Sequence, residues 1–194
     1  MADAPSVPAP LNFEIIRNGS PIGRHDMTFT ADGNNVVLNI DIGIKVDLLF
    51  VTVFRYEHHN REVWQGDHLL SIESNTLSDG KKGFLRGRDT PAGFEIETEN
   101  GKSVLPAGIM STTYWRPTFL KQSQAMHSET GELLKINIAD KGLETVEARG
   151  QQVQARHYEV RGDLNLDLWY DDKGTWIHGT TKGKDGSAIV YRLK

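Results

Sequence analysis

The stretch VVLNIDIGIKVDLLF, residues 36–50, alternates apolar and polar side chains over most of its length. The even positions from Leu38 to Leu48 are all aliphatic. Polar and charged side chains lie between them: Asn39, Asp41, Lys45 and Asp47. Successive side chains of a β-strand point to opposite faces, so the pattern predicts a strand with one packed face and one wet face. Such strands are typical of an antiparallel sheet that is covered on one side.

The same two-residue period continues along most of the chain, and helical periodicity is scarce. Turn sequences separate the strand-like stretches at short intervals, among them Asn18-Gly19-Ser20-Pro21, Asp140-Lys141-Gly142 and Lys184-Asp185-Gly186. We therefore predict an all-β, mainly antiparallel fold of about 10–11 strands. Because a sheet of this size curls, closes or splits, the expected architecture is a strongly curved barrel or half-barrel.

Two segments depart from this rhythm. Residues 1–10, MADAPSVPAP, are proline-rich and carry no folding pattern, which predicts a flexible leader before a single domain over residues 11–194. Residues 106–127 contain two prolines and no alternation. We predict that this segment plugs or covers one opening of the barrel, with Phe119 and Leu120, and Met126 as a further candidate, on a short helix.

Composition narrows the function classes. The net charge is −4 with mixed signs, which gives no indication of a nucleic-acid partner, and no apolar run approaches the ~20 residues of a membrane span. The chain has no cysteine, which excludes disulfides, thiolate metal sites and a cysteine nucleophile. Ala-Asp-Ala after the first Met is typical of a mature exported protein, so we expect a periplasmic or secreted location with the signal peptide removed. The alternative is a cytosolic protein with a frayed terminus.

The stretch TVFRYEHHNREVW, residues 52–64, concentrates aromatic and ionisable side chains. Alternation predicts that one set faces inward: Phe54, Tyr56, His58, Asn60, Glu62 and Trp64. His59 belongs to the opposite, solvated set. A buried imidazole and carboxylate must be paired or must shift their pKa values. His58 and Glu62 are therefore candidates for a catalytic acid/base pair if the protein is an enzyme, or for a hydrogen-bonded pair that only satisfies itself.

The stretch STTYWRP, residues 111–117, is the second candidate site. Tyr114, Trp115 and Arg116 combine large amphipathic surface with a fork of hydrogen-bond donors, which favours ligand contact. The alternative is that the two rings fill one end of the barrel. Ligand-binding residues are predicted at six positions: Phe54, Tyr56, Trp64, Tyr114, Trp115 and Arg116.

Other chemical motifs are missing from the sequence. There is no Gly-x-Ser-x-Gly elbow and no glycine-rich loop with phosphate-binding or dinucleotide-binding spacing. The seven histidines show no tight ligand spacing on one element, and His58 and His59 would point to opposite faces of a regular strand. We therefore predict neither a metal nor a cofactor.

Three stretches carry a family resemblance: LNFEIIRNGSPIG (11–23), YEHHNREVWQGDHLLSIES (56–74) and YEVRGDLNLDLWYDDKGTWIHGTTKG (158–183). Together they resemble a family of exported proteobacterial proteins of unknown function. More distantly, their arrangement is similar to the LolA/LolB-like half-barrels that carry lipids through the periplasm. The resemblance implies a curved antiparallel sheet, a plugging segment and an apolar cavity. It supplies no catalytic residues, and a shared fold does not fix function.

Three functional hypotheses follow. The first is a periplasmic carrier that holds a hydrophobic or amphipathic small molecule in an apolar cavity. The second is a cofactor-independent isomerase, lyase or hydrolase that uses His58 and Glu62 in the same cavity. The third is an envelope adaptor that offers a strand edge or residues 106–127 to a partner protein.

Overall fold

The computed structural model describes residues 6–48 and 51–194. Within these ranges it contains fourteen β-strands and one 3-10 helix, Pro117–Lys121. The strands are β1 (Leu11–Arg17), β2 (Ser20–Asp32), β3 (Asn35–Leu48), β4 (Val51–Gln65), β5 (His68–Ser78), β6 (Lys81–Thr90), β7 (Gly93–Thr98), β8 (Gly101–Leu105), β9 (Gln124–Met126), β10 (Leu133–Ala148), β11 (Gln151–Gly162), β12 (Leu166–Tyr170), β13 (Trp176–Lys182) and β14 (Ala188–Leu193). No helix in the described part of the chain is long and apolar enough to cross a membrane.

All fourteen described strands belong to one sheet, in the order β8-β7-β6-β5-β4-β3-β2-β1-β14-β13-β12-β11-β10-β9. The pairs of neighbouring strands are antiparallel. The sheet is open, because β8 and β9 are its two edges and do not pair with each other. The predicted all-β antiparallel class is confirmed, but with more strands than the expected 10–11.

The β1–β2 hairpin shows how the turn chemistry sets the strand register. Arg17 pairs with Ser20, which leaves Asn18 and Gly19 as a two-residue loop. Both have positive φ, +47° and +85°, as a type I′ turn requires. Asparagine and glycine are the residues that adopt this conformation at low cost, so the sequence Asn-Gly fixes the turn and the pairs next to it. A register shift between Ile15 and Ile16 sets the pairing of the rest of the hairpin.

One predicted turn is instead a bulge inside a strand. Asp140-Lys141-Gly142 was expected to separate two strands, but β10 runs through it and pairs with β11 on both sides. Asp140 pairs with Tyr158 and Gly142 with His157, so Lys141 is the extra residue. Gly142 supplies a φ of +93°, and its N–H donates to the Asp140 carboxylate at 2.9 Å. A bulge bends and twists a strand without ending it, which is why turn-like residues occur here.

The predicted alternation in residues 36–50 is confirmed where the structure describes it. Leu38 and Ile40 are buried, whereas Asp41, Lys45 and Asp47 are exposed. The side chain of Leu48 and the residues at 49–50 lie outside the described part of the chain, as do residues 1–5 of the predicted leader.

The segment of residues 106–132 crosses the inner face of the sheet, and we call it the inner segment. The Ser74 hydroxyl on β5 donates to the Ser128 carbonyl at 2.8 Å, and the Tyr170 hydroxyl on β12 donates to the Tyr114 carbonyl at 2.6 Å. Strands β5 and β12 are seven places apart in the sheet, so the sheet must curve strongly for both to reach one segment. Phe119 lies on the 3-10 helix as predicted, but Met126 lies on β9.

Candidate functional site

A cavity of about 300 Å³ lies between the inner face of β2–β4, strands β12–β14 and the inner segment. Its walls are mainly aliphatic and aromatic, and include Ile42, Ile44, Phe54, Leu168 and Trp176. The volume is at the lower end of the range of roughly 300–1,000 Å³ that small-molecule sites occupy. The cavity therefore has the size and the walls of a site for a compact, largely apolar ligand.

Two larger depressions have a different character. They measure about 660 and 700 Å³, are more open, and are lined largely by charged side chains such as Arg24, Lys45, Arg86, Arg88 and Glu97. Several of these side chains pair with one another or with neighbours across the strands, as Arg88 does with Glu95 at 3.0 Å. We interpret the depressions as the solvated surface of a curved sheet.

The strand register positions the polar side chains of the cavity. Phe13 on β1 pairs with His25 on β2, His25 pairs with Ile42 on β3, and Ile42 pairs with His58 on β4. The row continues to Thr76 on β5, whose hydroxyl lies 2.8 Å from Nδ1 of His58. Neighbouring strands are about 4.8 Å apart, so the backbones of the two histidines are about 10 Å apart across the sheet. One row across the sheet thus brings both imidazoles to the same cavity.

His25 is the most unusual residue of the site. It is only 6% exposed, and neither ring nitrogen has a hydrogen-bond partner among the described residues. Its neighbours are aromatic: the ring centroids of Trp176, Phe13 and Tyr191 lie 5.6, 5.9 and 5.9 Å away. Burial lowers the pKa of His25 to about 3, and His58 contributes in the same direction. The imidazole is therefore neutral near pH 7, with one donor and one acceptor nitrogen free.

A second cluster of polar side chains in the cavity surrounds Glu129. Its carboxylate accepts a hydrogen bond from the Tyr56 hydroxyl, and its backbone N–H donates to Nδ1 of His127 at 3.3 Å. Burial lowers the pKa of His58 to about 4, and this effect is partly opposed by the charge of Glu129. Burial, with Glu129 adding to it, also raises the pKa of Tyr56 and Tyr191, the latter to about 12. At neutral pH the imidazoles of His25 and His58 and the phenols of Tyr56 and Tyr191 are therefore neutral, and they share the cavity with the Glu129 carboxylate.

The backbone of Tyr114, at the edge of the cavity, is strained. Its φ of +60° is rare for a residue with a bulky side chain. Such strain costs on the order of 1–3 kcal/mol and persists only where surrounding contacts enforce it. Here the Tyr170 hydroxyl binds the Tyr114 carbonyl, and the ring packs edge-on against Phe119 and Trp176 at 5.1 and 5.6 Å. The strain turns the Tyr114 ring toward the cavity, which it lines.

The structure brings some of the predicted site residues together and separates others. Four of them line the cavity: Phe54, Tyr56, His58 and Tyr114. Four others are not part of its wall: Glu62, Trp64, Trp115 and Arg116. The predicted inward face of β4 is nevertheless correct, because the side chains from His58 to Trp64 at even positions are all buried and His59 is exposed.

His58 and Glu62 do not form the predicted pair. They are four residues apart on one strand, which separates them by about 13 Å at the usual rise of a strand. Glu62 is fully buried and accepts hydrogen bonds from Asn60 Nδ2 at 3.0 Å, Trp64 Nε1 at 2.8 Å and Thr113 Oγ1 at 3.2 Å. Burial raises its pKa, and these donors oppose the shift. Its role in the structure is to hold the inner segment against β4.

The three remaining predicted residues form a separate stack. Trp64 and Trp115 pack edge to face at 5.7 Å, and the Arg116 guanidinium lies 4.1 Å from the centroid of Trp115. Arg116 also donates to the Asp67 carboxylate at 3.0 Å. For Trp115 these contacts favour the alternative given for this stretch, in which the ring fills the interior, whereas Tyr114 lines the cavity.

The cavity residues that sequence reasoning missed include His25, His127, Glu129 and Tyr191. His25 could have been found, since it shares an alternating face with Met27 and Phe29. His127 and Glu129 lie in a segment without a period and gave no such signal. Within residues 6–48 and 51–194, no three His, Asp or Glu side chains are placed to hold a metal ion.

Comparisons with known proteins agree with the fold. The crystal structure of a beta-barrel-like protein of domain of unknown function DUF1849 from Brucella abortus superposes with a TM-score of 0.67 at 10% sequence identity, covering 99% of this chain and 98% of that one. At this identity the likeness concerns the fold alone. A search of curated protein sequences gave no match. The family model for domain of unknown function DUF6134 matches residues 13–194. The chain therefore belongs to the DUF6134 family.

Proposed function

We propose that this protein binds a small amphipathic molecule in the cavity between the curved sheet and the inner segment. The observation that carries the proposal is the combination of apolar walls with a buried, unpaired imidazole at His25. Apolar walls favour an apolar ligand, and a few buried polar groups then orient it. Both ring nitrogens of His25 expose almost no surface, so a ligand reaches them only when the ring turns toward the cavity. An unsatisfied buried polar group is costly to the folded protein, so a ligand that then pairs with it gains affinity from that relief.

The volume of the cavity limits the size of the ligand. About 300 Å³ is equivalent to roughly ten water molecules at their share of liquid volume of about 30 Å³ each. A molecule with one short chain or a small ring system fits this space. A lipid with two long acyl chains would need a larger cavity, so the proposal narrows the expected class of ligand from lipids in general to compact amphiphiles.

A carrier or sensor role suits the site better than catalysis by the predicted acid/base pair. That pair does not assemble, because Glu62 is about four strand residues from His58 and is held by Asn60, Trp64 and Thr113. A location in the periplasm remains part of the proposal, and the distant likeness to lipid-carrying half-barrels is its motivation.

Substitution of a wall residue tests the proposal. Ile44 on β3 lines the cavity, and the adjacent Lys45 is exposed on the outer face. Ile44→Trp should narrow the cavity and weaken binding of the neutral fluorescent probe N-phenyl-1-naphthylamine, whereas Lys45→Trp should leave it unchanged. Circular dichroism checks that both variants fold. If the unmodified protein neither binds the probe nor yields a co-purifying molecule by mass spectrometry, the proposed function is wrong.

A further inference from the structure

We propose that the polar end of the ligand is an uncharged hydroxyl group and that the cavity rejects carboxylates and other anions. This inference rests on the binding function proposed above and specifies its ligand class. Three observations support it: the charge of the cavity wall, the two unpaired ring nitrogens of His25 and the surroundings of that ring.

The wall has no positive group to receive an anion. Among its described residues there is no lysine or arginine, and the Glu129 carboxylate belongs to it. Asp167 also contributes to the wall, but its carboxylate is bound by Arg161 at 3.0 Å. A ligand carboxylate would lose its hydration and meet Glu129 without a counter-charge. Burial of an unpaired charge beside a like charge is strongly unfavourable.

His25 can pair with a neutral polar group. A neutral imidazole has one N–H donor and one acceptor nitrogen, and both nitrogens of His25 are unpaired. A hydroxyl group donates one hydrogen bond and accepts others, so it matches either tautomer of the ring. An ammonium group only donates and a carboxylate only accepts, so each pairs with one tautomer. Because the unpaired ring can take either tautomer, the charge of the surroundings decides between these groups.

The surroundings of His25 also disfavour a cation at that point. The ring is enclosed by Phe13, Trp176 and Tyr191, and His58 lies two strands away in the same row. These groups are neutral near pH 7, so a charged head would exchange its hydration for uncharged side chains. A hydroxyl loses less hydration and regains its hydrogen bond from the imidazole.

Three probes of equal chain length test the inference: 1-decanol, decanoate and decylammonium. Protein freed of bound molecules is loaded with N-phenyl-1-naphthylamine at pH 7.5. Each amphiphile is titrated below its solubility limit or micellar concentration, whichever is lower, until the fluorescent probe is displaced. We expect decanol to compete at least ten-fold more strongly than decanoate, and more strongly than decylammonium. Because this comparison uses the unmodified protein, it does not depend on any variant folding.

Two variants assign the selectivity to residues. Glu129→Gln keeps an acceptor for the Tyr56 hydroxyl and removes the charge, so the affinity for decanoate should rise several-fold relative to the affinity for decanol. His25→Phe keeps an aromatic ring of similar width and removes both nitrogens, so decanol should lose about ten-fold in affinity while the fluorescent probe still binds.

The outcomes separate this inference from the proposed function. If decanoate or decylammonium competes as strongly as decanol while the fluorescent probe binds, the hydroxyl inference is overturned and the binding function stands. If neither the fluorescent probe nor any of the three amphiphiles binds, the binding function is overturned, and the inference with it.

Discussion

Replacing His25 by phenylalanine should stabilise the protein, and the gain should grow as the pH falls. The side chain is buried among aromatic rings, and both ring nitrogens are unpaired, so the substitution removes no hydrogen bond. Removal of an unsatisfied buried polar group is worth on the order of 1–3 kcal/mol. A phenylalanine ring retains the contacts with Phe13 and Trp176, so we expect the free energy of unfolding to rise by an amount in this range at pH 8.

The pH dependence follows from the pKa of His25, which burial lowers from 6.5 to about 3. Between these values the unfolded chain binds a proton that the folded chain does not. The contribution of His25 to the free energy of unfolding is therefore fully present above pH 6.5 and is lost as the pH decreases toward 3. At pH 5 the loss relative to pH 8 is about 2 kcal/mol, since 1.5 pH units below 6.5 correspond to roughly that energy.

His58 contributes a similar loss, because burial lowers its pKa from 6.5 to about 4. The unmodified protein should thus lose about 4 kcal/mol between pH 8 and pH 5 from these two histidines, and His25→Phe about half of that. Urea unfolding followed by tryptophan fluorescence at several pH values measures the difference. His59→Phe, which removes an exposed histidine from the outer face, is the matched control.

Either of two results would contradict the assignment of His25 as a buried, unpaired imidazole. An unchanged pH dependence in His25→Phe would show that the imidazole is solvated or paired in the folded protein. A loss of stability at every pH would show that its nitrogens make bonds that phenylalanine cannot replace.

Further substitutions test the packing around the site. Glu62→Gln should lower the free energy of unfolding by about 1–3 kcal/mol in urea titrations, because the amide NH₂ faces groups that already donate. Gly87→Ala should lower the free energy of unfolding by about 1–3 kcal/mol in the same assay, because the new Cβ would lie 2.5 Å from a buried phenylalanine ring. Gly43→Ala is the control: its Cβ meets nothing within 4 Å, so the free energy of unfolding should be nearly unchanged. Tyr170→Phe removes the 2.6 Å hydrogen bond to the Tyr114 carbonyl and should lower the thermal unfolding midpoint, with a loss of about 1–2 kcal/mol. Equal changes in the free energy of unfolding for the two glycine variants would contradict this interpretation of the packing. So would an unchanged free energy of unfolding in Glu62→Gln or Tyr170→Phe.

The sequence by itself determined the all-β class and the faces of the strands around the site. Alternation assigned His58 and Glu62 to the inner face of β4 and His59 to the outer face, and all three assignments are correct. Asn18-Gly19 likewise determined a hairpin turn and the strand pairs next to it. These features are predictable because side-chain direction in a strand and the conformation of a two-residue turn depend only on neighbouring residues.

Only the tertiary structure decided which inward side chains share the cavity. His58 meets His25 through the register of three strands, and it meets Glu129 through the inner segment, 71 residues further along the chain. Glu62 has the same parity as His58 but lies under a different part of that segment. Curvature of the sheet and the path of a segment without a period depend on contacts between distant residues, and a two-residue pattern contains no information about them.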